Sequence, residues 1–157
     1  MPQHPVVASL LRSIDEAYDR HSWHGTNLRG SLRGLDARQA AWRPARGRHN
    51  VWEIVLHAAY WKYVVRRRIN RENRGSFTRP GSNWFPSPAR PRAAEWREAL
   101  TLLAAEHRRL RLAIAGLAAG GLGPGFERLV RGVAAHDLYH AGQIQLLKRL
   151  MPARRKA

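Results

Sequence analysis

The stretch that decides the fold is residues 136–144, His136-Asp137-Leu138-Tyr139-His140-Ala141-Gly142-Gln143-Ile144. A helix advances 100° per residue, which places His136 within about 40° of His140. Apolar residues on either side share that stripe: Leu129, Val133, Ile144, Leu147 and Met151. Arg131 and Arg149 fall about 180° away, on the opposite face. The pattern predicts an amphipathic helix over about 126–150 whose core-facing stripe carries two histidines.

Three further long helices follow from the same periodicity and from residues that start or stop helices. They are predicted over about residues 5–21, 50–70 and 92–117, the last ended by Gly120-Gly121. A short amphipathic piece at 28–35 follows the first of them. The sequence shows no alternating strand pattern, so we predict an all-α fold, a four-helix bundle.

The segments between these helices have compositions typical of connections. Residues 36–48 are predicted to be a connector, and residues 75–91 a loop rich in Pro, Gly and Ser. Trp84 and Phe85 within that loop predict that it packs onto the rest of the protein. The chain ends in a basic tail, 152–157. Its length predicts a single domain over residues 1–157.

The composition excludes several classes of protein. The chain contains no cysteine, which rules out disulfides, thiolate metal sites and cysteine nucleophiles. No run of about 18 apolar residues is present, so we predict no membrane partner. The N-terminus lacks the basic region and apolar stretch of a signal peptide, and a cytoplasmic location is therefore expected.

The net charge of +17 raises the question of a polyanionic partner. Most of the basic residues are arginines, which favour phosphate and carboxylate recognition. The basic runs are scattered over separate segments, and no aromatic-interleaved stripe of the kind that binds single strands is present. Nucleic acid is therefore a partner that the charge allows but does not favour. The preferred interpretation is a generally basic, solvated surface, and a small-molecule substrate that is anionic stays open.

A third histidine repeats the pattern on another helix. His57 shares a face with Val64 and Trp61, and Arg66 lies opposite. If the second and fourth long helices are neighbours, His57, His136 and His140 meet and form a three-nitrogen metal site with open positions. The alternative for each ring alone is a hydrogen-bonded core histidine. Two imidazoles at positions i and i+4 on a buried stripe favour the metal, because burying both is costly unless both are satisfied.

Residues near the histidines have two interpretations each. Glu53 is predicted either to complete a capping box with the N-cap Asn50 or to act as a base near the metal. Asp137 is predicted to orient a ligand histidine or to hold an arginine. Gln143 flanks the histidine stripe and is, with Glu53, a candidate catalytic or positioning residue. Tyr139 is predicted to make a helix contact rather than to act in catalysis.

Further predictions concern the surroundings of the site. Trp61 is predicted to form a pocket wall, and Arg68 to receive a carboxylate at the pocket mouth. Leu138 and Leu146 point away from the inferred core face and are candidates for a dimer contact. The remaining histidines are predicted to lie on the surface or in loops: His4, His21, His24, His49 and His107.

Residues 136–144 resemble the closing motif of the DinB-like (YfiT-like) superfamily of metalloenzymes. Residues 50–61, Asn50-Val51-Trp52-Glu53-Ile54-Val55-Leu56-His57-Ala58-Ala59-Tyr60-Trp61, are similar to that family's first-histidine helix. The resemblance extends over the whole chain, including 23–25 and the connector at 42–44. It implies a four-helix bundle that binds one divalent metal, nickel, zinc or iron, through His57, His136 and His140, and it implies a homodimer.

The resemblance also implies a type of reaction. Characterised relatives include thiol-dependent S-transferases, so the expected function is that of a metal-dependent enzyme of the S-transferase or hydrolase type. A low-molecular-weight thiol is then a candidate cofactor, because the chain supplies no thiol of its own. The alternative is a non-catalytic, basic metal-binding protein that associates with nucleic acid through its surface charge.

Overall fold

Helices make up all the secondary structure of the computed structural model, which describes residues 4–73, 75, 77–117 and 124–152. The all-α prediction is confirmed, and the helices in these residues number six rather than four. They are α1 Pro5–Tyr18, α2 Leu28–Ser31, α3 Ala37–Ala41, α4 Val51–Ile69, α5 Ala93–Ala115 and α6 Pro124–Leu150. The predicted helix stop at Gly120-Gly121 and nearly all of the predicted basic tail lie outside the described residues.

The four long helices pack around a shared core. Helix α4 contacts both α5 and α6, and α1 contacts the same two helices from the other side. One apolar cluster includes Leu10 and Leu110, and a second includes Trp52 and Trp96, whose rings lie 5.1 Å apart. Because α4 and α6 are neighbours, the two histidine-bearing faces are brought together. Among the described residues, none of the helices combines the length and apolar character needed to cross a bilayer.

Helix α4 begins where the sequence predicts, at the N-cap Asn50. Its side-chain oxygen accepts a hydrogen bond from the Glu53 backbone N–H at 2.9 Å. The Asn50 amide nitrogen donates to the carbonyl of Ala41 and to the hydroxyl of Ser87. The start of α4 is thus tied to the preceding connector and to the following loop. The predicted capping box is wrong in its second half, because the Glu53 carboxylate is bonded to Arg43 instead of returning to Asn50.

The predicted connector at 36–48 contains a helix, which corrects the prediction. Asp36 and Gln39 form a complete capping box at the start of α3, with Asp36 Oδ1 accepting from the Gln39 N–H at 2.9 Å. The spacing of these two residues was the available signal. Five residues are too few for a helical period to be read from apolar positions, and packing against α4 and α5 stabilises the turn.

A buried ion pair links α4 to α6 beside the histidines. The Lys62 ammonium donates to Asp137 Oδ2, and both side chains are 1% exposed. Asp137 therefore neither orients a ligand histidine nor holds an arginine, and both predictions for it are wrong. The Lys62 ammonium also lies 5.1 Å from the centre of the Tyr18 ring. The pair fixes the α4–α6 register one residue away from His136.

His107 is buried in the bundle, against the prediction of a surface position. Its side chain stacks on Tyr18 with ring centres 3.9 Å apart, and its Nε2 lies 3.7 Å from Asp15 Oδ1. Burial, assisted by the charges of Lys62 and Arg111, lowers the pKa of His107 to about 3. The imidazole is therefore neutral in the folded protein at neutral pH.

The buried His107 predicts a loss of stability in mild acid. Between pH 6.5 and pH 3 the unfolded chain binds a proton at this residue that the folded protein does not, so stability falls as pH falls. In metal-free protein, His107→Gln should lose less stability than wild type between pH 7 and pH 4.5, by roughly 2 kcal/mol. Urea unfolding at the two pH values measures this difference. Parallel pH dependence in wild type and His107→Gln would contradict it, and His21→Gln, at an exposed position, is the control.

Candidate metal centre

Three imidazoles from two helices converge on one point. His57 comes from α4, and His136 and His140 come from successive turns of α6. The Nε2 atom of His136 lies 3.0 Å from Nε2 of His57 and 3.0 Å from Nε2 of His140. His57 and His140 are buried and His136 is half-buried. The predicted convergence of the three side chains is present.

The outer nitrogens of two rings are held by hydrogen-bond acceptors. His57 Nδ1 lies 2.7 Å from the backbone oxygen of Asn83. His140 Nδ1 lies 2.7 Å from Gln143 Oε1, and the Gln143 amide nitrogen donates to the Tyr139 hydroxyl at 3.0 Å. Because carbonyl and amide oxygens only accept, each of these Nδ1 atoms carries the ring proton. The Nε2 atoms of His57 and His140 are therefore bare acceptors when the rings are neutral.

The three Nε2 atoms that face one another have too few protons to hydrogen-bond to each other, and a cation would satisfy their lone pairs together. Among the described residues His136 Nδ1 has no hydrogen-bond partner, so its ring is free to carry its proton on either nitrogen. A single proton on His136 Nε2 serves one of its two neighbours at a time. A divalent ion accepts a lone pair from all three rings together, and acceptors on the outer nitrogens are the usual support for histidine ligands. The donor set fits a metal.

Burial lowers the pKa of all three histidines and so favours their neutral forms. Burial, together with the neighbouring His140, His57 and Lys62, lowers the pKa of His136 to about 3. Burial likewise lowers the pKa of His140 to about 4, against the opposing effect of the Gln143 hydrogen bond. The pKa of His57 is also lowered, again chiefly by burial. Neutral imidazole is the form that binds a metal.

Gln143 is expected to strengthen metal binding through His140. In Gln143→Leu the acceptor for His140 Nδ1 is lost, and the affinity for zinc should fall by about 10-fold or more. Competition with a zinc-binding dye measures the change. Gln145→Leu is the matched control, since Gln145 lies two residues along α6 and is outside the cavity lining. Equal affinities in the two variants would contradict a supporting role for Gln143.

Asn83 and Trp84, from the loop predicted over 75–91, complete the site. Asn83 adopts a left-handed backbone conformation, φ 67°, and its side-chain oxygen accepts from Trp61 Nε1 at 3.0 Å. The next ring, Trp84, stacks between His57 at 3.8 Å and His49 at 3.6 Å. The loop therefore holds His57 by a carbonyl on its edge and an indole on its face. Sequence reasoning predicted that this loop packs but did not predict its role in the site.

Glu53 contacts the stack of His57, Trp84 and His49 at its His49 end, and it is not among the residues that line the cavity at the histidines. Its carboxylate pairs with Arg43 and also bonds His49 Nδ1 at 2.9 Å. Burial alone would raise the pKa of Glu53, but the hydrogen bonds from Arg43 and His49 outweigh burial and the pKa is lowered. The arrangement makes Glu53 a partner of His49 and, through Trp84, a support for His57. His49 lies exposed in a loop, as predicted, and it also belongs to this supporting network.

A cavity of about 680 Å³ opens from the histidines. Its walls are largely apolar, with Trp84 on one side and Tyr139 on another. The other apolar lining residues are Pro44, Ala45, Ile54, Leu146, Leu147 and Leu150. Arg48 also lines the cavity, and no carboxylate does. A small molecule with an apolar body fits such a space beside the three rings.

Two residues predicted for this pocket line neighbouring cavities instead, one of which also reaches His136. Trp61 approaches the rings of His57 and His136 edge-on, and it lines two neighbouring cavities, one of which has His136 on its wall, but not the cavity lined by all three histidines. Arg68 lines the same neighbouring cavities. The wall is formed by Trp84, and the arginine at this cavity is Arg48. The helical wheel of α4 predicts the direction in which each side chain leaves that helix. The boundary of the cavity depends instead on where the loop that carries Trp84 lies.

The two residues predicted to form a dimer contact lie in different environments. Leu138 packs against the apolar cluster that includes Leu10, so its predicted position at a dimer contact is not supported. Leu146 is 58% exposed, at the rim of the cavity with Leu150 and Tyr139. Among the described residues, the cluster of metal-ligating side chains has three members, His57, His136 and His140.

Comparison with known proteins agrees with the geometry. The family model described as the DinB superfamily matches residues 20–144, well over half of the chain, and the match includes all three histidines and Gln143. No curated protein matches the chain, and no solved structure does.

Proposed function

Because the chain belongs to the DinB superfamily, we propose that it is a metal-dependent enzyme that binds one divalent metal ion through His57, His136 and His140. The observation that carries the proposal is the contact of three Nε2 atoms, two of them bare acceptors, beside a cavity. Nickel, zinc and iron all accept imidazole ligands and are the proposed metals. When bound, such an ion supplies Lewis-acid chemistry, lowering the pKa of a water or thiol that joins it.

The number of ligands favours an enzyme over a structural metal site. Structural zinc sites in proteins are closed by four protein ligands, whereas catalytic sites leave a position open. Here the cluster has three members among the described residues, and His136 and His140 line the cavity. A metal held by these rings would therefore be accessible to a small molecule that enters the cavity. The alternative, a non-catalytic basic metal-binding protein, requires that nothing reactive bind there.

The chain's own residues have distinct roles in this proposal. The rings of His57 and His140 are oriented by Asn83 and Gln143, which keep the protons on the outer nitrogens. Glu53 acts as a positioning residue through His49 and Trp84, not as a base in contact with substrate. The apolar walls exclude water from an apolar substrate, and Arg48 is available to an anionic group on it.

The reaction we propose is of the S-transferase or hydrolase type. A transferase of this kind takes its thiol from a small molecule, since the chain has no cysteine. The test is turnover by metal-loaded protein with a panel of low-molecular-weight thiols and electrophiles, and with ester and amide substrates. Activity that is lost in His140→Ala supports the enzyme. Full metal binding without turnover of any substrate in the panel would favour the non-catalytic alternative.

The proposal extends to assembly and location. Leu146, Leu150 and Tyr139 form an exposed apolar rim, which supports the homodimer implied by the family. Cytoplasmic location stays a prediction from the sequence. Nucleic acid is not favoured, because the basic runs are scattered along the sequence and the described lining of the cavity at the histidines holds a single arginine, Arg48.

A further inference from the structure

A second cavity, of about 440 Å³, lies between α4 and the loop that begins at Phe77. Its lining shares no residue with the cavity at the three histidines. Tyr60, Trp61 and Tyr63 of α4 form one wall, and residues 79–82 form part of another. The proposed function assigns no role to this cavity.

Three arginines line the second cavity, and no acidic residue does. They are Arg67, Arg68 and Arg79. In the part of the chain that the structure describes, neither Arg68 nor Arg79 has a side-chain hydrogen bond or an ion pair within 4 Å. Arg67 uses one N–H on the backbone oxygen of Glu72, at 3.1 Å, and keeps its remaining donors.

The nearby carboxylates are already engaged by other arginines. Glu72 accepts two hydrogen bonds from Arg66, at 2.7 and 2.9 Å. The charge of Arg79 contributes to lowering the pKa of Glu95, but the Glu95 carboxylate is bonded to Arg92 at 2.6 Å. The positive charge of the cavity is therefore not cancelled by a carboxylate on its wall.

An unpartnered hydroxyl gives a second, independent indication of a ligand. Tyr63 is 9% exposed, lines the cavity, and its hydroxyl oxygen has no hydrogen-bond partner among the described residues. A Cβ placed on Gly75, which also lines the cavity, would lie 3.1 Å from this oxygen. Leaving a buried hydroxyl unpaired costs about 1–3 kcal/mol, so a partner at this edge of the cavity is expected.

Aromatic packing fixes the wall that carries this hydroxyl. The Phe77 ring lies 5.5 Å from Tyr60 and 5.5 Å from Tyr63, and 5.2 Å from the buried Phe85. The rings join the loop to α4, so the arginines lie on a packed wall that also contains the buried Tyr63 hydroxyl. A site arranged in advance in this way loses less entropy when a ligand binds.

We propose that this cavity binds the phosphoryl group of a small phosphorylated ligand, held by Arg67, Arg68 and Arg79 with the Tyr63 hydroxyl as a further donor. Arginine matches phosphate oxygens with paired N–H groups, and three arginines match a group of two or more negative charges better than a single carboxylate. The volume is that of a small-molecule site, and the arginines face a recess rather than an extended strand-binding surface.

Isothermal titration of metal-free protein with inorganic pyrophosphate, at about 0.15 M salt, tests the proposal. At this ionic strength unspecific attraction to the +17 chain is screened. Wild type should bind one equivalent, and Arg68→Gln and Arg79→Gln should each weaken binding about 10-fold or more. Arg12→Gln removes the same charge from the exposed surface of α1, and it should change the affinity less than twofold.

Other outcomes decide against the site or one of its parts. No saturable binding to wild type, or equal weakening in Arg12→Gln and Arg68→Gln, would overturn the proposal. Tyr63→Phe should weaken binding several-fold without lowering the melting temperature, and an unchanged affinity would remove the hydroxyl from the site. A single-stranded oligonucleotide that displaces pyrophosphate at equal phosphate concentration would indicate a nucleic-acid surface instead. His140→Ala should bind pyrophosphate like wild type, so this test and that of the metal centre fail separately.

Discussion

Replacing His136 by alanine is expected to weaken the binding of a divalent metal by about 100-fold or more. His136 is the central ring of the three, in contact with both of the others through Nε2. Removing a supporting group beside a ligand typically costs 10–100-fold, and removing the ligand itself should cost at least as much. Zinc and nickel titrations of wild type and variant, with one site per chain, measure the effect.

Two controls separate this loss from general damage. His24→Ala removes an exposed histidine outside the site and should leave the affinity unchanged. In the absence of metal, His136→Ala should unfold at nearly the same urea concentration as wild type. The three facing ring nitrogens share at most one proton, so their hydrogen bonding contributes little to the stability of the metal-free protein. Undiminished one-to-one metal binding by His136→Ala would remove the ligand assignment.

Breaking the buried ion pair is expected to have the largest effect on stability. Asp137→Ala leaves the Lys62 ammonium without its partner at a position that is 1% exposed. Removing one member of a buried pair costs about 3–5 kcal/mol, because the remaining charge stays desolvated. Urea unfolding of metal-free protein should show this loss as a lower midpoint.

The double variant Lys62→Met with Asp137→Leu shows whether charge or packing is responsible. With no charge left to be buried, the stability should recover by about 2 kcal/mol or more relative to Asp137→Ala. Glu127→Ala, which breaks the exposed pair with Arg131 on the same helix, should change stability by less than about 1 kcal/mol. A double variant no more stable than Asp137→Ala would show that shape, not charge, dominates at this position.

Helical periodicity explains why the metal centre was predictable. The positions of His57, His136 and His140 relative to the apolar stripes of their own helices determine which way each ring points. With α4 and α6 as neighbours and the three histidines at one level along them, the rings meet. The same reasoning applied to α5 identifies His107, since Leu103, Leu110 and Ile114 form a core stripe at helical spacing with it.

The remaining features depend on contacts between distant segments. The Asn83 carbonyl and the Trp84 ring reach His57 from a loop without any periodic pattern, and the left-handed backbone at Asn83 sets their direction. The partner of Asp137 lies 75 residues away in the sequence, at Lys62. A local sequence pattern does not identify the cation that faces a buried carboxylate. The packing of α4 on α6 determines that Lys62 faces Asp137.

X-ray absorption spectroscopy on protein loaded with one equivalent of zinc tests the convergence of the three rings most directly. The account predicts three imidazole nitrogens at about 2.0–2.1 Å from the metal, with the scattering pattern of the rings behind them. In His136→Ala loaded under the same conditions, one of the three should be missing or the metal absent. A zinc environment with fewer than two imidazoles in wild type, or one that is identical in wild type and His136→Ala, would contradict the account.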